Sequence, residues 1–250
     1  MEKVRAKRIC IIGAGVSGLP CIKQCLEEGL EPVCYERTAH IGGLWNYRTD
    51  LGENAATVMK STVVNTSKEM MAYSDFPPPA DWPNFMHNTY VNQYLHLYAN
   101  HFKLVHHIHF NTAVESVERA ANGKWWVALS TGQQELFDGV MLCTGHHATP
   151  FVPNFKGLEE FEGRVLHSQR YRDYKGFEDK KVLIIGIGNS ALDCAVELSR
   201  VTQKLYVSTR KGSWIWNRVA QGGMPYDIIF LSRIYHFLQN GPFVPWSLTN

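Results

Sequence analysis

The stretch Gly13-Ala14-Gly15-Val16-Ser17-Gly18 lies between a short apolar run, Arg8–Ile12, and a segment whose apolar residues recur at helical spacing. The sequence therefore predicts a buried strand, a tight glycine turn, a helix over residues 16–28 and a second strand over Glu31–Tyr35. Glu36 follows that second strand, 23 residues after Gly13. In this context the glycine pattern indicates a Rossmann unit that binds a dinucleotide.

Each glycine of this first fingerprint has its own task. Gly13 permits the turn, Gly15 lets the backbone approach a pyrophosphate, and Gly18 allows the helix to pack closely on the strand. The pyrophosphate is expected at the amides and the positive dipole end of the helix. An acid at Glu36 would accept hydrogen bonds from free ribose hydroxyls, which favours a dinucleotide without a 2′-phosphate.

A second fingerprint, Gly186-Ile187-Gly188-Asn189-Ser190-Ala191, follows the apolar run Lys181–Ile185. A helix over residues 190–199 and a strand over residues 205–208 are predicted after it. Alanine is an allowed variant at the third glycine position. Arg210 stands where the first unit has its acid. An arginine there accommodates a 2′-phosphate and predicts a site for NADPH, whereas the alternative is an ordinary solvated charge.

The repeated pattern predicts an α/β protein with two Rossmann-like dinucleotide-binding units, each built on a parallel sheet. The first unit is placed at residues 1–160 and the second at residues 161–250. After residue 208 the sequence offers only residues 214–217 and a helical stretch over residues 227–237. A complete unit needs more parallel strands, so the second unit is expected to be truncated.

The middle of the chain is less regular. Residues 38–100 are interrupted by glycines and prolines, and a helix is predicted over residues 90–102. Strands are predicted over Trp125–Leu129 and residues 139–143. Residues 151–180 contain prolines, glycines and aromatic residues, and we interpret them as a connector between the two units.

Composition excludes several classes of protein. The 250 residues are 45% hydrophobic and 19% charged, which is ordinary for a folded soluble protein. A net charge of +2 without a long basic run gives no reason to expect nucleic acid as a partner. No apolar stretch reaches the roughly 20 residues that a helix needs to cross a bilayer.

The six cysteines include no CxxC pair, and we expect a reducing compartment. Cys21 and Cys25 share one face of the first helix and are expected to pack in the core. The histidines within residues 96–109 lack a cysteine or carboxylate partner at a recurring ligand spacing, so no metal site is expected.

The residues Phe161-x-Gly163-x-x-x-His167-x-x-x-Tyr171 match a signature that the flavin-containing monooxygenases carry just before their NADPH-binding fingerprint. Further segments that resemble this family are Gly42-Gly43-Leu44-Trp45, Asn65-Thr66-Ser67-Lys68-Glu69-Met70, Tyr73-Ser74-Asp75-Phe76-Pro77, Cys143-Thr144-Gly145 and Gly212-Ser213-Trp214. The resemblance covers the chain from Lys7 onward. Tyr171 fits the branch that oxidises amines and sulfides, because the similar Baeyer–Villiger monooxygenases usually have tryptophan at that position.

The resemblance implies an FAD-binding domain over residues 1–160 and an incomplete NADPH-binding domain over residues 161–250. The residues that it assigns to FAD are Gly13, Ala14, Gly15, Val16, Ser17, Gly18 and Glu36, with Leu44 and Trp45 near the flavin. The residues that it assigns to NADPH are Gly186, Gly188, Ser190, Ala191, Leu192, Asp193 and Arg210. The residues that would line both cofactors are Val64, Asn65 and Thr66.

The resemblance also implies an activity. NADPH would pass a hydride to FAD, oxygen would add to the reduced flavin, and the hydroperoxyflavin would oxygenate a soft nucleophile such as an amine nitrogen or a sulfide sulfur. Asn65 matches the family asparagine that supports the oxygenating intermediate, and its neutral amide can both donate and accept hydrogen bonds. Without the family match, Asn65 would be interpreted as an ordinary turn residue.

A second function stays open at this point. If 250 residues were the whole product, the chain could be a truncated, inactive isoform that binds FAD, NADPH or another subunit. The resemblance implies the cytosolic face of the endoplasmic reticulum membrane, a role in xenobiotic metabolism and association into homo-oligomers. A complete product without an anchor would instead be expected in the cytoplasm.

Overall fold

The computed structural model describes residues 5–49, 56–231 and 237. In chain order its strands are β1 (Arg8–Ile12), β2 (Glu31–Tyr35), β3 (Ile108–His109), β4 (Val114–Arg119), β5 (Trp125–Leu129), β6 (Gln134–Phe137), β7 (Gly139–Leu142), β8 (Lys181–Ile185) and β9 (Lys204–Ser208). Its α-helices are α1 (Gly18–Glu27), α2 (Lys68–Met71), α3 (Asn88–His101), α4 (Asn189–Leu198) and α5 (Tyr226–Phe230). The α/β class with parallel sheets is confirmed.

The chain forms two compact units that are interleaved in sequence. The first comprises Met1–Lys60 and Asn88–Asp173, and the second comprises Ser61–His87 and Tyr174–Asn250. The division therefore differs from the boundary that we predicted between residues 160 and 161. The physical reason is that α2 packs against α5, which brings residues 61–87 into the second unit. The assignment of one cofactor to each unit stays a prediction.

A four-stranded parallel sheet forms the centre of the first unit, in the order β3-β2-β1-β7. Ile11 of β1 is fully buried, as expected for a strand with neighbours on both sides. Helix α1 covers the sheet through Leu19 and Ile22, which are three residues apart and both fully buried. The predicted strands β1 and β2 are confirmed at their bounds.

A second, antiparallel sheet in this unit has the order β4-β5-β6. Its Val127 and Phe137 join Cys10 and Tyr35 of the parallel sheet in one hydrophobic cluster. The prediction of β5 is confirmed, but β4 and β6 were not predicted. Both strands are half polar, with the sequences VESVER and QELF, because one face of this sheet is exposed.

A charged network joins the two sheets. The carboxylate of Glu135 on β6 accepts a hydrogen bond from the Arg8 guanidinium at 2.8 Å and another from the Tyr35 hydroxyl at 2.7 Å. The bond from Arg8 is the main reason that the pKa of Glu135 lies below its ordinary value. Burial, followed by the bond to Glu135, raises the pKa of Tyr35. Sequence reasoning did not single out this network, because Arg8 and Glu135 lie in distant segments.

Helix α3 begins two residues earlier than the predicted range of 90–102. The side-chain amide of Asn88 donates hydrogen bonds to the carbonyls of Met59 at 3.1 Å and Lys60 at 3.0 Å. These tertiary bonds fix the first residue of the helix, and Tyr94 and Tyr98 bury its inner face.

In the second unit, β8 and β9 form a two-stranded parallel sheet among the described residues. The predicted strand β8 is confirmed, while β9 and α4 each begin one residue before their predicted positions. Leu183 and Ile185 of β8 remain 58% and 56% exposed. Residues 214–217 are irregular rather than a strand, and α5 is shorter than the predicted 227–237, of which 232–236 lie outside the described residues.

Candidate functional site

The first fingerprint connects β1 to α1 by a tight turn. Gly13 has a φ of +103°, a left-handed conformation that favours glycine. Its N–H donates to the Tyr35 carbonyl at 2.9 Å, and a Cβ on Gly13 would lie 2.6 Å from the carbonyl oxygen of Cys143, which follows β7. The turn is therefore held between the two strands that flank β1.

The other two glycines of this fingerprint, Gly15 and Gly18, differ in the space that each leaves for a side chain. A Cβ at Gly18 would overlap the carbonyl oxygen of Gly13, so the packing of α1 on the turn requires glycine there. A Cβ at Gly15 would meet Gly43 at 3.7 Å, an ordinary van der Waals distance, and Gly15 has no left-handed φ. Neither backbone conformation nor internal packing therefore explains glycine at position 15.

A second glycine turn lies against this loop. The N–H of Gly42 donates to the carbonyl of Ala14 at 3.0 Å, and a single turn of 3₁₀ helix follows over Gly43–Trp45. Leu44 and Trp45 are partly exposed. The structure therefore brings these two predicted flavin neighbours to the first fingerprint.

Asn92 of α3 also belongs to this region. Its side-chain Oδ1 faces Gly42 so closely that a Cβ there would overlap it. The oxygen is buried and accepts no hydrogen bond from any residue within 5–49, 56–231 and 237. Asn92 was not identified from the sequence, since a polar residue in a helix gives no signal of this kind.

Glu36 is buried, with 7% of its surface exposed, directly beneath the fingerprint. Its Oε2 accepts a hydrogen bond from the N–H of Ala14 at 2.9 Å. Its Oε1 accepts two bonds from Thr38, from the backbone N–H at 2.9 Å and from the hydroxyl at 2.8 Å. A carboxylate oxygen has two lone pairs, so Oε2 retains capacity for one further donor such as a ribose hydroxyl.

The second fingerprint connects β8 to α4 in the same way. Gly186 has a φ of +122°, and its N–H donates to the Ser208 carbonyl at 2.9 Å. Gly188 is the N-cap of α4 with extended backbone, and a Cβ there would meet no atom within 4 Å. As at Gly15, glycine at position 188 has no explanation in the described structure of its own unit.

The predicted NADPH contacts Ser190, Ala191 and Leu192 lie in the first turn of α4, and Asp193 follows at the start of the second turn. Burial raises the pKa of Asp193, against the opposing effect of Arg218. Arg210 lies two residues after β9 and is exposed. Within the described part of the chain, its guanidinium forms no ion pair.

The segment with Val64, Asn65 and Thr66 belongs to the second unit. Val64 is buried and its N–H donates to the Met86 carbonyl at 2.9 Å. On the other side, the N–H of Ser67 donates to Asp227 Oδ2 at 2.6 Å. Asn65 itself is exposed between these two anchors. Its backbone is therefore held in place while its side chain is accessible.

Lys68 adds a third anchor that sequence reasoning did not identify as structural. The ammonium is largely buried and donates hydrogen bonds to the carbonyls of Ala80 and Trp82, both at 2.6 Å. A lysine in a helical pattern is normally exposed, so only the tertiary structure reveals this role.

The predicted site residues are divided between the two units. The first unit contains the FAD contacts Gly13 to Gly18, Glu36, Leu44 and Trp45, and the second contains Asn65, its neighbours and all the predicted NADPH contacts. The expectation that Cys21 packs in the core together with Cys25 was wrong for Cys21, which is partly exposed and contacts the partly exposed Cys143.

No group of three or more His, Cys, Asp or Glu side chains among the described residues is arranged to hold a metal ion. Of the helices within the described ranges, none combines the length and the apolar character required to cross a membrane.

Comparisons with known proteins agree with these features. Residues 6–249 match the family model described as flavin-binding monooxygenase-like. The chain is 50% identical over 241 residues to flavin-containing monooxygenase 5 of Homo sapiens, covering 93% of the chain and 45% of the relative. It is 46% identical over 244 residues to dimethylaniline monooxygenase [N-oxide-forming] 2 of Oryctolagus cuniculus, covering 94% and 46%.

A solved structure supports the fold. The S-allyl-L-cysteine S-oxygenase from Allium sativum is similar with a TM-score of 0.77 and 26% identity, covering 88% of this chain and 54% of that protein. The chain thus spans about half the length of the relatives that it matches.

Proposed function

The chain belongs to the flavin-binding monooxygenase-like family, and from that premise we propose that it acts in an NADPH- and oxygen-dependent monooxygenase that carries FAD. The relatives named above are enzymes, and their names include an N-oxide-forming and an S-oxygenating activity. The proposed substrates are therefore soft nucleophiles, with an amine nitrogen or a sulfide sulfur as the acceptor of oxygen.

The observation that carries this proposal is the pair of unexplained glycines. Gly15 and Gly188 occupy the same place in two fingerprints, and neither is required by backbone conformation or by packing. At that place a side chain would occupy the surface on which a pyrophosphate rests. Two such positions in one chain support two dinucleotide sites.

FAD fits the first unit. The bare surface at Gly15 and Gly43 would admit its pyrophosphate, and the remaining lone pair of Glu36 Oε2 would accept from its ribose. The buried Oδ1 of Asn92 supplies an acceptor that still lacks a donor among the described residues. Leu44 and Trp45 would contact the flavin side of the cofactor.

NADPH fits the second unit. The amides of the first turn of α4 lie at the positive end of the helix dipole, where a pyrophosphate is stabilised. Arg210 has no carboxylate partner among the described residues, so its charge is available to a 2′-phosphate.

When bound, FAD would supply the redox chemistry, with NADPH as the source of hydride and oxygen as the co-substrate. The role of the protein is to bind, orient and exclude water. Asn65 would donate or accept a hydrogen bond near the reacting oxygen without changing its charge. The anchors at Val64 and Ser67 support this role, because they fix the backbone on both sides of Asn65.

The alternative is a chain that binds FAD or NADPH, or another subunit, without turnover. We also propose association with the cytosolic face of the endoplasmic reticulum membrane and self-association, both from the family resemblance alone.

One experiment separates the two functions. The purified chain is loaded with FAD, freed of unbound cofactor and mixed anaerobically with NADPH. For a monooxygenase we expect loss of the flavin absorbance, and on admission of oxygen with a tertiary amine we expect the N-oxide. Bound FAD that NADPH does not reduce would reject the enzyme and support the alternative.

A further inference from the structure

Two of the six cysteines differ from the rest in exposure. Cys10, Cys25, Cys34 and Cys194 are buried, with at most 6% of their surface exposed. Cys21 on α1 and Cys143 after β7 are both partly exposed. These two thiols are also neighbours, since their Sγ atoms lie 3.7 Å apart. The two cysteines that are not fully buried are therefore the two that contact each other.

The backbone holds both residues in place. The N–H of Cys143 donates to the Ile12 carbonyl at 3.0 Å, and the N–H of Cys21 donates to the Ser17 carbonyl at 3.3 Å. The side chain of Cys143 lies against the first turn of α1. A Cβ added to Gly18 would lie 3.6 Å from the Cβ of Cys143. A disulfide has an S–S distance of about 2.05 Å, so the sulfurs must approach by about 1.6 Å.

We propose that Cys21 and Cys143 form a peroxide-sensitive dithiol that closes to an intramolecular disulfide. The oxidant is hydrogen peroxide, a small neutral molecule. The disulfide would link the first turn of α1, which follows the first glycine fingerprint, to the residue after β7. This inference rests on the contact between the two thiols and does not depend on the proposed monooxygenase activity.

The contact assigns different tasks to the two sulfurs. The Cys143 thiol donates its hydrogen to the sulfur of Cys21. Burial and the neighbouring Cys21 raise the pKa of Cys143 to about 12, so Cys143 stays protonated at neutral pH. Cys21 is therefore the thiol that reacts with peroxide, and Cys143 is the thiol that resolves the product.

The reaction balances in two steps. The Cys21 sulfur attacks one oxygen of the peroxide, the O–O bond breaks, and a sulfenic acid and one water form. The Cys143 sulfur then attacks the Cys21 sulfur, the S–O bond breaks, and the leaving hydroxide takes the Cys143 proton to become a second water. In total two thiols lose two electrons and one peroxide gains them.

The test maps the disulfide in the unmodified chain. The reduced protein is exposed to hydrogen peroxide, blocked with an alkylating reagent while folded, and digested with trypsin without reduction. We expect a linked pair of peptides, residues 9–23 and residues 125–156, with the mass of their sum less two hydrogens. Because Cys10 shares the first peptide with Cys21, fragment ions must place the link at Cys21.

Variants distinguish this pair from general oxidation. Cys143→Ser should stop at the Cys21 sulfenic acid, which dimedone traps, and Cys21→Ser should abolish the link. Cys25→Ser is the matched control on the same helix and should leave the link intact.

Three results would overturn the proposal. The first is a disulfide at Cys10, and the second is oxidation of Cys21 to the sulfinic acid while the Cys143 thiol still reacts with the alkylating reagent. The third is alkylation of both Cys21 and Cys143, which would show that peroxide oxidised neither thiol. All three are read in the unmodified chain, so the outcome does not depend on the folding of a variant.

Discussion

The carboxylate of Glu36 and the backbone N–H of Ala14 form a buried hydrogen bond of 2.9 Å that closes the end of β2 onto the first glycine loop. The residue that is expected to recognise ribose thus also holds the loop that is expected to bind pyrophosphate. Removal of the Glu36 charge should therefore lower both the stability of the loop and the affinity for the dinucleotide. Removal of an exposed surface acid should change neither.

Glu36→Gln should weaken FAD binding about tenfold, because a charge-assisted hydrogen bond contributes about 1.5–3 kcal/mol and the amide weakens it. The same variant should lower the free energy of unfolding by about 1 kcal/mol, because an amide accepts less strongly from Ala14. FAD titration followed by flavin fluorescence and a urea melt measure the two effects. Glu115→Gln on the exposed face of β4 is the control. Equal effects of the two substitutions would contradict the assignment.

Gly15→Ala and Gly18→Ala should separate ligand binding from folding. At Gly18 the added methyl group overlaps the Gly13 carbonyl, so we expect a loss of several kcal/mol of stability. At Gly15 it meets Gly43 at an ordinary distance, so the melting temperature should change little while FAD affinity falls at least about tenfold. Thermal melts without FAD and FAD titrations test this contrast. A Gly15→Ala protein that binds FAD normally would refute the pyrophosphate site.

Arg210→Ala should weaken NADPH binding by about tenfold or more and leave NADH binding nearly unchanged, because only NADPH carries the 2′-phosphate. Calorimetric titration of both nucleotides gives the ratio directly. Arg200→Ala, another exposed arginine of the same unit, is the matched control. Equal losses for NADPH and NADH would show that Arg210 does not read the phosphate.

Lys68→Met should destabilise the chain by about 1–3 kcal/mol, because the carbonyls of Ala80 and Trp82 lose their buried donor. Methionine keeps the length of the apolar stem, so the loss reports the ammonium group. Denaturant unfolding measures it, with the exposed Lys156→Met as control. A change no greater than that of the control would mean that the ammonium does not anchor this segment.

Asp193→Asn should make the chain more stable at neutral pH. Burial raises the folded-state pKa of Asp193, so folding favours the protonated acid. The charged carboxylate lowers the stability of the folded chain. This loss is absent below the pKa of Asp193 in the unfolded chain and is complete above its pKa in the folded chain. The gain of the variant should therefore disappear as the pH falls below the ordinary pKa of aspartate. Melts across acidic pH test this, and a gain independent of pH would contradict it.

Local spacing was enough to predict much of the fold. The glycine patterns and apolar runs predicted β1, β2 and β8 at their observed bounds, because the strands of a parallel sheet are rich in consecutive apolar residues. The strands β4 and β6 were missed, since one exposed face makes them half polar. The first residue of α3 was missed because the side chain of Asn88 finds its acceptors at residues 59 and 60.

The candidate site shows the same division. Gly13, Gly15, Glu36 and Arg210 could be identified as candidate ligand-binding residues from the sequence, because each lies at a characteristic distance along the chain from a glycine fingerprint. Their roles as ligands stay predictions. The hydrogen bond from the N–H of Ser67 to Asp227, which anchors the chain beside Asn65, could not be foreseen, because it joins segments 160 residues apart and no local pattern encodes it.

The sequence by itself determined the two dinucleotide-binding patterns and the opposite charges that accompany them, because turns, strands and their offsets depend on neighbours along the chain. The tertiary structure alone decided that Glu36 closes onto Ala14, that residues 61–87 join the second unit, and that Cys21 meets Cys143. These contacts form only when distant segments pack, since hydrogen bonds and thiol contacts act over a few ångströms whatever the separation in sequence.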